Sequence, residues 1–235
     1  MADQETVRDV AGRLDEVRAR MGAAALRAGR RPEEVLLVAV TKTVPASVVA
    51  AALAAGQRVF GENRVQEALA KAAACGPGAT WHLIGHLQGN KAKPAARLFD
   101  VVESLDSPGL AAELDRRARE AGRRLRVLIQ VKVGDEPTKS GVPPGEAPAL
   151  IEAASRLPGL EVAGLMAIPP PSAAAGDSRR WFALLRALRE RWDGACCPRG
   201  TLRELSMGMS DDYEVAIEEG ATIVRVGSAL FGPRP

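Results

Sequence analysis

The chain alternates short runs of aliphatic and β-branched residues with longer segments of helical period along almost its whole length. The short runs predict buried strands, and the longer segments predict helices that cover them. An N-terminal helix is predicted at 5–28, and eight strands are predicted at 35–40, 58–61, 81–85, 101–104, 125–131, 160–166, 204–207 and 222–226. Further helices are predicted at 46–55, 63–75, 91–98, 108–121, 144–156, 178–192 and 211–219.

Eight strands, each followed by a helical segment, indicate an α/β fold of the closed (β/α)8 TIM-barrel type, preceded by an N-terminal helix. The length of 235 residues is close to what this barrel requires. An open, doubly wound sheet is the alternative, because spacing alone does not show that the first and last strands pair. No boundary divides the chain, so we expect one domain over 1–235, with a loop at 169–176 after the sixth strand.

The composition argues against several classes of function. The formal charge is only +3 and the arginines are spread along helical segments, so no nucleic-acid partner is expected, although the pI is about 9.0. Cys75, Cys196 and Cys197 show neither a disulfide framework nor the spacing of metal ligands. The N-terminus is charged and lacks the apolar core of a signal peptide, and no run is long and apolar enough to span a membrane. We therefore expect a cytoplasmic protein with no membrane partner and no bound metal.

Lys42 is the residue that most constrains the chemistry. It stands just beyond the first predicted strand, and the carboxyl ends of barrel strands form the functional face. An amine that points into a pocket there loses water, which disfavours its ammonium form and makes a neutral nucleophile accessible near neutral pH. This is the chemistry of a lysine that forms a Schiff base. The alternative is a lysine with a buried stem and a hydrated ammonium group.

The ends of the last two strands carry the elements of a phosphate site. Barrels of this type frequently bind phosphate with the loops after strands seven and eight. Gly227 lets the backbone approach closely, and Ser228 supplies a hydroxyl and an N–H at the start of a short helix at 228–231. Ser206 and Ser210 supply further donors. Together with a Schiff-base lysine, this site indicates one ligand with an aldehyde and a phosphate, and we predict pyridoxal 5′-phosphate (PLP).

Arg225 lies two residues before Gly227, so the alternation of the strand directs its side chain to the same side as that glycine. Its guanidinium could reach the ring nitrogen of PLP, donate a hydrogen bond and keep that nitrogen unprotonated. An unprotonated pyridine is a poor electron sink, which would handicap carbanion chemistry. The alternative is an arginine paired with a carboxylate such as Asp211 or Glu214.

Seven motifs in the order AVTKT, FGENRVQEA, WHLIGHLQGNK, TKSG, GLMAI, LSMGMSDDYEVAI and VRVGSALFG resemble the YggS/PROSC family of pyridoxal phosphate homeostasis proteins. They span about residues 35–232, and several are long and unusual. The family is similar to the barrel domain of fold-type III PLP enzymes such as alanine racemase, without that enzyme's second, β-rich domain. The resemblance implies a Schiff base on Lys42 and a set of further cofactor-binding residues: Asn63 beside the ring, Met166 in the wall near the ring, Ser206, Gly227 and Ser228 at the phosphate, and Arg225 at the pyridine nitrogen.

Two positions qualify the resemblance. Members of the family often carry a basic or polar residue two positions after the Schiff-base lysine, whereas this chain has Val44 there. A role for a second lysine at that point is therefore not expected. Lys139 in TKSG matches the loop lysine of the family and could receive or hand over the cofactor.

The sequence favours a PLP carrier over an enzyme. A racemase of this type needs acid–base groups on both faces of the substrate, and a tyrosine from the missing domain normally supplies the second one. Tyr213 is the only tyrosine, and it is predicted to begin a helix. His82 is predicted to be a hydrogen-bonded residue of the barrel core, and His86 lies in a loop.

Two other functions stay open on the sequence alone. The first is a slow fold-type III amino-acid racemase, and the second is an aldolase-type barrel that uses Lys42 without a cofactor. For the carrier, the partners would be PLP and the PLP-dependent apo-enzymes that receive it. Without the second domain that builds the racemase dimer, we expect a monomer.

Overall fold

A computed structural model describes residues 4–134, 140–170 and 175–232 of the chain. Its strands form one closed parallel barrel in which each strand pairs with the next along the chain and the last pairs with the first. The strands are β1 Leu36–Val40, β2 Val59–Glu62, β3 Thr80–Leu83, β4 Val101–Leu105, β5 Leu125–Gln130, β6 Leu160–Met166, β7 Glu204–Ser206 and β8 Ile223–Val226. The closed (β/α)8 barrel is confirmed, and the open doubly wound sheet is wrong.

The helices surround the barrel in the order that the sequence predicts. They are α1 Gln4–Arg27, α2 Ala46–Ala54, α3 Val65–Cys75, α4 Ala92–Leu98, α5 Pro108–Glu120, α6 Ala147–Ser155, α7 Arg179–Trp192, α8 Tyr213–Glu218 and α9 Ser228–Phe231. Local signals set several of these boundaries. At the start of α5, for example, the Ser107 hydroxyl accepts a hydrogen bond from the Leu110 amide, and Pro108 occupies the first helical turn.

The N-terminal helix α1 packs on the outside of the barrel, on the side where β8 pairs with β1. Its buried residues recur at intervals of four and three positions, which makes one apolar stripe that packs on α2, α8 and α9. Ion pairs from Arg20 and Arg27 to Glu214 and Glu218 lie at the edge of this contact. Because these pairs are largely exposed, the buried stripe and not the ion pairs holds α1 in place.

Side chains alternate between the two faces of a strand, so every second residue faces the barrel interior. A compact cluster of aliphatic side chains fills the interior below the carboxyl ends of the strands. Its buried members are Val38, Val101, Leu128, Ala163, Met166 and Ile223. Residues two positions further along these strands therefore reach the next layer up, where the interior opens.

Candidate functional site

A cavity of about 640 Å³ opens at the carboxyl ends of the strands, as expected for the functional face of a barrel. Both aliphatic and polar residues line it, and together they come from strand ends or following loops around most of the barrel. The lining residues are Val40, Lys42, Asn63, Ile84, Gly85, His86, Gln130, Ser140, Ile168, Met209, Ser210, Asp211, Arg225, Gly227 and Ser228.

Lys42 is brought to this cavity by the alternation of β1. Val38 faces the interior cluster and Val40 lines the cavity floor, so Lys42 continues the same face at the next level. Its side chain is partly buried at the cavity wall. The structure therefore places Lys42 in the wall of the strand-end cavity, at the carboxyl end of β1.

The end of β8 supplies a group of hydrogen-bond donors on the neighbouring side of the cavity. Gly227 and Ser228 line the cavity where β8 gives way to α9. The hydroxyl oxygen of Ser210 accepts hydrogen bonds from the amides of Gly227 (3.1 Å) and Ala229 (3.3 Å). The loop after β7 and the turn after β8 are thus joined, and the hydroxyls of Ser210 and Ser228 with the Ser228 amide could bind an oxyanion there.

Arg225 lies at the bottom of the cavity and is almost fully buried. Its guanidinium donates to the Ala167 carbonyl (2.8 Å) and to the Ser206 hydroxyl, and Glu103 lies 3.8 Å away. Burial lowers the pKa of Arg225, while the charge of Glu103 opposes that change. Arg225 therefore has a carboxylate beside it, as the alternative interpretation of this arginine expects, but that carboxylate is Glu103 on β4 and not Asp211 or Glu214.

Glu103 connects Arg225 to His82 across the barrel interior. One carboxylate oxygen lies 2.7 Å from His82 Nδ1, and the other accepts a hydrogen bond from the Ser206 hydroxyl. Burial raises the pKa of Glu103, but the hydrogen bond and charge of His82, with Arg225 and Ser206, outweigh it and leave that pKa below its ordinary value. The prediction of His82 as a hydrogen-bonded core residue is confirmed.

Two of the predicted cofactor residues do not line the cavity. Ser206 is fully buried, and its hydroxyl is occupied by Glu103 and Arg225, so Ser210 and not Ser206 faces the cavity from the loop after β7. Met166 is fully buried in the interior cluster. Ile168, two residues further on, takes the wall position, because the cavity begins one layer above Met166.

Asn63 reaches the cavity because a glycine stands opposite it. A Cβ atom placed on Gly85 would lie 2.5 Å from the Asn63 carbonyl oxygen and 2.7 Å from its Cα. Only a residue without a side chain allows the loop after β2 to pass so close to the end of β3. Gly85 thus fixes the place of Asn63 at the rim.

Several lining residues were not singled out from the sequence. Gln130 at the end of β5 donates from Nε2 to the Ser140 carbonyl (3.0 Å), which fastens the start of the loop after β5. A polar residue after an aliphatic run is the signal that could have identified it. His86, which the sequence places in a loop, is 54% exposed and lies 3.5 Å from Asp106 at the rim. The predicted loop residue Lys139 lies outside the described residues.

Within the described parts of the chain, no cluster of His, Cys, Asp and Glu has the arrangement of a metal site. Over the same residues, no helix combines the length and the apolar character that crossing a membrane would need.

Comparison with known proteins gives a consistent result. Residues 13–235 match the family model described as alanine racemase, N-terminal domain. Proteins named pyridoxal phosphate homeostasis protein are 46% identical over 226 residues in Pseudomonas aeruginosa and 42% identical over 230 residues in Escherichia coli K12. These alignments cover 96% of this chain in both cases, and 96% and 97% of those relatives. The chain belongs to the YggS/PROSC family of pyridoxal phosphate homeostasis proteins.

A solved member of this family is PipY of Synechococcus elongatus PCC7942, whose structure has PLP bound. It superposes on this chain with a TM-score of 0.83 at 41% sequence identity, covering 95% of this chain and 100% of PipY. The agreement extends over nearly the whole chain, so the two proteins share the same barrel fold.

Proposed function

We propose that this protein binds PLP in its strand-end cavity, holds it by a Schiff base on Lys42, and buffers or delivers it within the cell. The proposal rests on the observation that an amine, a group of oxyanion donors and a buried guanidinium all line the same cavity. An aldehyde, a phosphate and a pyridine nitrogen are the complementary groups of PLP. The names of the relatives and the PLP bound to PipY support the same ligand.

The residues present fit this ligand group by group. The Lys42 amine would meet the aldehyde, and the Ser210 hydroxyl with the Ser228 amide and hydroxyl would bind the phosphate beside Gly227. When bound, PLP supplies an aldehyde that condenses with a primary amine, which forms a C=N bond and releases one water molecule. Asn63 would lie beside the ring.

Arg225 would face the pyridine nitrogen. Ala167 and Ser206 accept its hydrogen bonds and fix the orientation of its guanidinium, so the group has little freedom to move away. Because a guanidinium donates and does not accept protons, it favours an unprotonated ring nitrogen. That protonation state suits storage of the cofactor better than amino-acid turnover.

The positions of the other acid–base groups also favour a carrier over an enzyme. Tyr213 begins α8, as predicted, and its side chain is buried, so it does not reach the cavity. Among the described residues, His86 and Asp211 are the lining groups besides Lys42 that could move a proton. His86 is more than half exposed, which leaves it poorly placed to exclude water from a reaction.

A visible spectrum of the purified protein, before and after incubation with PLP, tests the proposal. We expect an absorbance band that bleaches with borohydride and a pyridoxyl mass on the peptide that contains Lys42. Lys93→Ala, which changes an exposed lysine on α4, is the matched control and should label normally. No band after incubation with PLP would contradict the proposal, and trapping of a sugar phosphate instead would select the cofactor-free aldolase.

Delivery is tested by mixing the loaded protein with a PLP-dependent apo-enzyme and following recovery of its activity. We propose that Lys139 assists the transfer, so Lys139→Ala should slow recovery without preventing loading. Equal transfer rates for the two proteins would count against this role. Racemisation of alanine or serine by the loaded protein, lost in His86→Ala, would instead support the slow racemase.

The proposal also includes a monomer that works in the cytoplasm. The three cysteines are free thiols, which is typical of proteins from reducing compartments. Sedimentation of the purified protein with and without PLP measures the oligomeric state, and a stable dimer would contradict the proposed monomer. Fractionation of cells tests the cytoplasmic location.

A further inference from the structure

A buried lysine lies behind Lys42, on the outer side of the barrel wall. Lys71 projects from α3 and donates from Nζ to the Thr41 carbonyl (2.6 Å) and to Glu62 Oε1 (2.6 Å). Glu67 Oε2 lies 3.6 Å from the same ammonium group. We name Thr41, Glu62, Glu67 and Lys71 the Lys71 cluster. Because it packs between strand and helix, it does not contribute to the cavity lining.

Burial of the charged groups of the Lys71 cluster in the protein interior costs free energy. Both members of the Lys71–Glu62 pair are buried, and burial of an ion pair seldom stabilises a fold more than well-packed apolar residues would. Glu62 Oε1 also accepts from the Thr41 hydroxyl (2.6 Å), while Glu62 Oε2 is buried without a hydrogen-bond partner. A buried carboxylate oxygen left without a partner calls for an explanation other than stability.

The cluster holds both peptide groups that flank Lys42. The carbonyl before Lys42 belongs to Thr41 and accepts from Lys71. The amide after Lys42 belongs to Thr43 and donates to Glu67 Oε2 (3.3 Å). The carbonyl of Thr41 also accepts from the Val44 amide (2.9 Å), which closes a tight turn around Lys42.

The turn itself is strained at Thr43. Its φ of +64° is the only positive φ of a residue other than glycine in the described parts of the chain. A β-branched residue in this conformation costs free energy and persists only where surrounding contacts fix it. Glu67 provides such a contact at the amide of that residue. The direction of the Lys42 side chain therefore depends on contacts made from outside the barrel.

We infer that the Lys71 cluster positions Lys42, with Lys71 and Glu67 fixing the two flanking peptides so that the amine meets the aldehyde of PLP. This inference rests on the proposed function. It assigns Lys71 and Glu67 as positioning residues that touch neither ligand nor cavity. Loss of either contact should slow formation of the Schiff base, whereas the phosphate contacts after β7 and β8 and the contact of Arg225 should stay intact.

The test separates the covalent step from binding. Stopped-flow absorbance after mixing with PLP measures the rate of Schiff-base formation, and calorimetry with pyridoxine 5′-phosphate measures binding without it, because that ligand carries an alcohol in place of the aldehyde. Glu67→Ala removes the acceptor for Thr43 and should slow the covalent step about tenfold or more at unchanged calorimetric affinity. Glu67→Gln retains an acceptor oxygen and should restore the rate.

Lys71→Met should slow the covalent step further, and Lys93→Met and Glu33→Ala are the controls at exposed positions. Should Lys71→Met not fold, the contrast between Glu67→Ala and Glu67→Gln decides. Rates equal to the parent protein in Glu67→Ala would overturn the inference. So would a parallel loss of pyridoxine 5′-phosphate affinity, since the cluster would then shape the whole cavity. Failure of the parent protein to form a Schiff base would refute the proposed function instead.

Discussion

Replacement of Glu103 by glutamine should be strongly destabilising, although it changes few atoms. Glu103 is fully buried, its two oxygens bind His82 and Ser206, and it is the carboxylate that compensates the buried charge of Arg225 at 3.8 Å. The amide keeps the size of the side chain but removes its charge. Removal of one partner of a buried ion pair typically costs about 3–5 kcal/mol, because the other charge stays buried without compensation. We expect Glu103→Gln to fall in this range.

Urea denaturation at about pH 7 measures this loss, and a double-mutant cycle assigns it to the charge pair. Arg225→Met removes the guanidinium and fills most of its volume with apolar atoms. If Glu103→Gln acts through the uncompensated charge, the two losses should not add. The free energy of unfolding of the double mutant should then be about 2 kcal/mol higher than additive losses would give. Additive losses would show that the two residues do not depend on each other and would refute the reasoning.

The pH dependence gives an independent check. Because the pKa of Glu103 is lowered in the folded protein, its carboxylate contributes stability above the unfolded pKa of about 4.3, and that contribution is lost as the pH falls through the folded pKa. The difference in unfolding free energy between the parent protein and Glu103→Gln should thus be largest near pH 7 and shrink below about pH 4. A difference that does not change with pH would contradict the assigned ionisation.

Three further changes test the cavity and the barrel. Lys42→Ala should abolish borohydride labelling while calorimetry still detects weaker PLP binding through the phosphate donors; a labelled variant would contradict the assignment of the lysine. Gly85→Ala places a Cβ 2.5 Å from the Asn63 carbonyl oxygen, so PLP affinity measured by fluorescence titration should fall about tenfold. Gly164→Ala places a Cβ 2.0 Å from the Glu204 carbonyl oxygen, so it should lower the unfolding free energy by about 3 kcal/mol or more, and an unchanged urea midpoint would disprove this contact.

The strands and helices were largely predictable because their signals are local. The sixth strand was predicted at 160–166 and forms at Leu160–Met166, since a run of aliphatic residues between turns marks its two ends. The observed helix boundaries differ from the predicted ones where a turn forms at the end of a helix. The helix predicted at 144–156 begins only at Ala147, because the Glu146 amide bonds back to the Pro143 carbonyl.

Part of the candidate site was predictable because parallel strands bring their carboxyl ends together. Lys42, Gly227 and Ser228 follow strands directly, and they meet at one cavity. The depth of a side chain within the barrel is harder to predict, since it depends on the tilt and stagger of all eight strands. Ser206 and Ser210 are both plausible donors in the sequence, yet they lie in different layers.

The partners of the buried charges were not predicted, because the two members of each pair are far apart in the sequence. Lys71 is 30 residues from the Thr41 carbonyl that it binds, and Glu103 is 103 residues from Ser206. Spacing arguments apply along one helix or strand, whereas these contacts join different elements of the closed barrel. Lys71 in particular looks like a solvent-facing residue of an amphipathic helix until the ends of β1 and β2 are placed beside it.

Because β8 pairs with β1, bound PLP would also stabilise the closed barrel. Leu36 lies opposite Ile223 and Ala39 opposite Val226, so Lys42 and Gly227 extend two strands that meet only when the barrel closes. A ligand attached to both would bridge segments from opposite ends of the sequence and resist their separation as a removable cross-link does. On the proposed assignments, a chain whose last strand has not docked would still have the lysine but would lack the phosphate donors after β8, so retention of the cofactor would require complete folding.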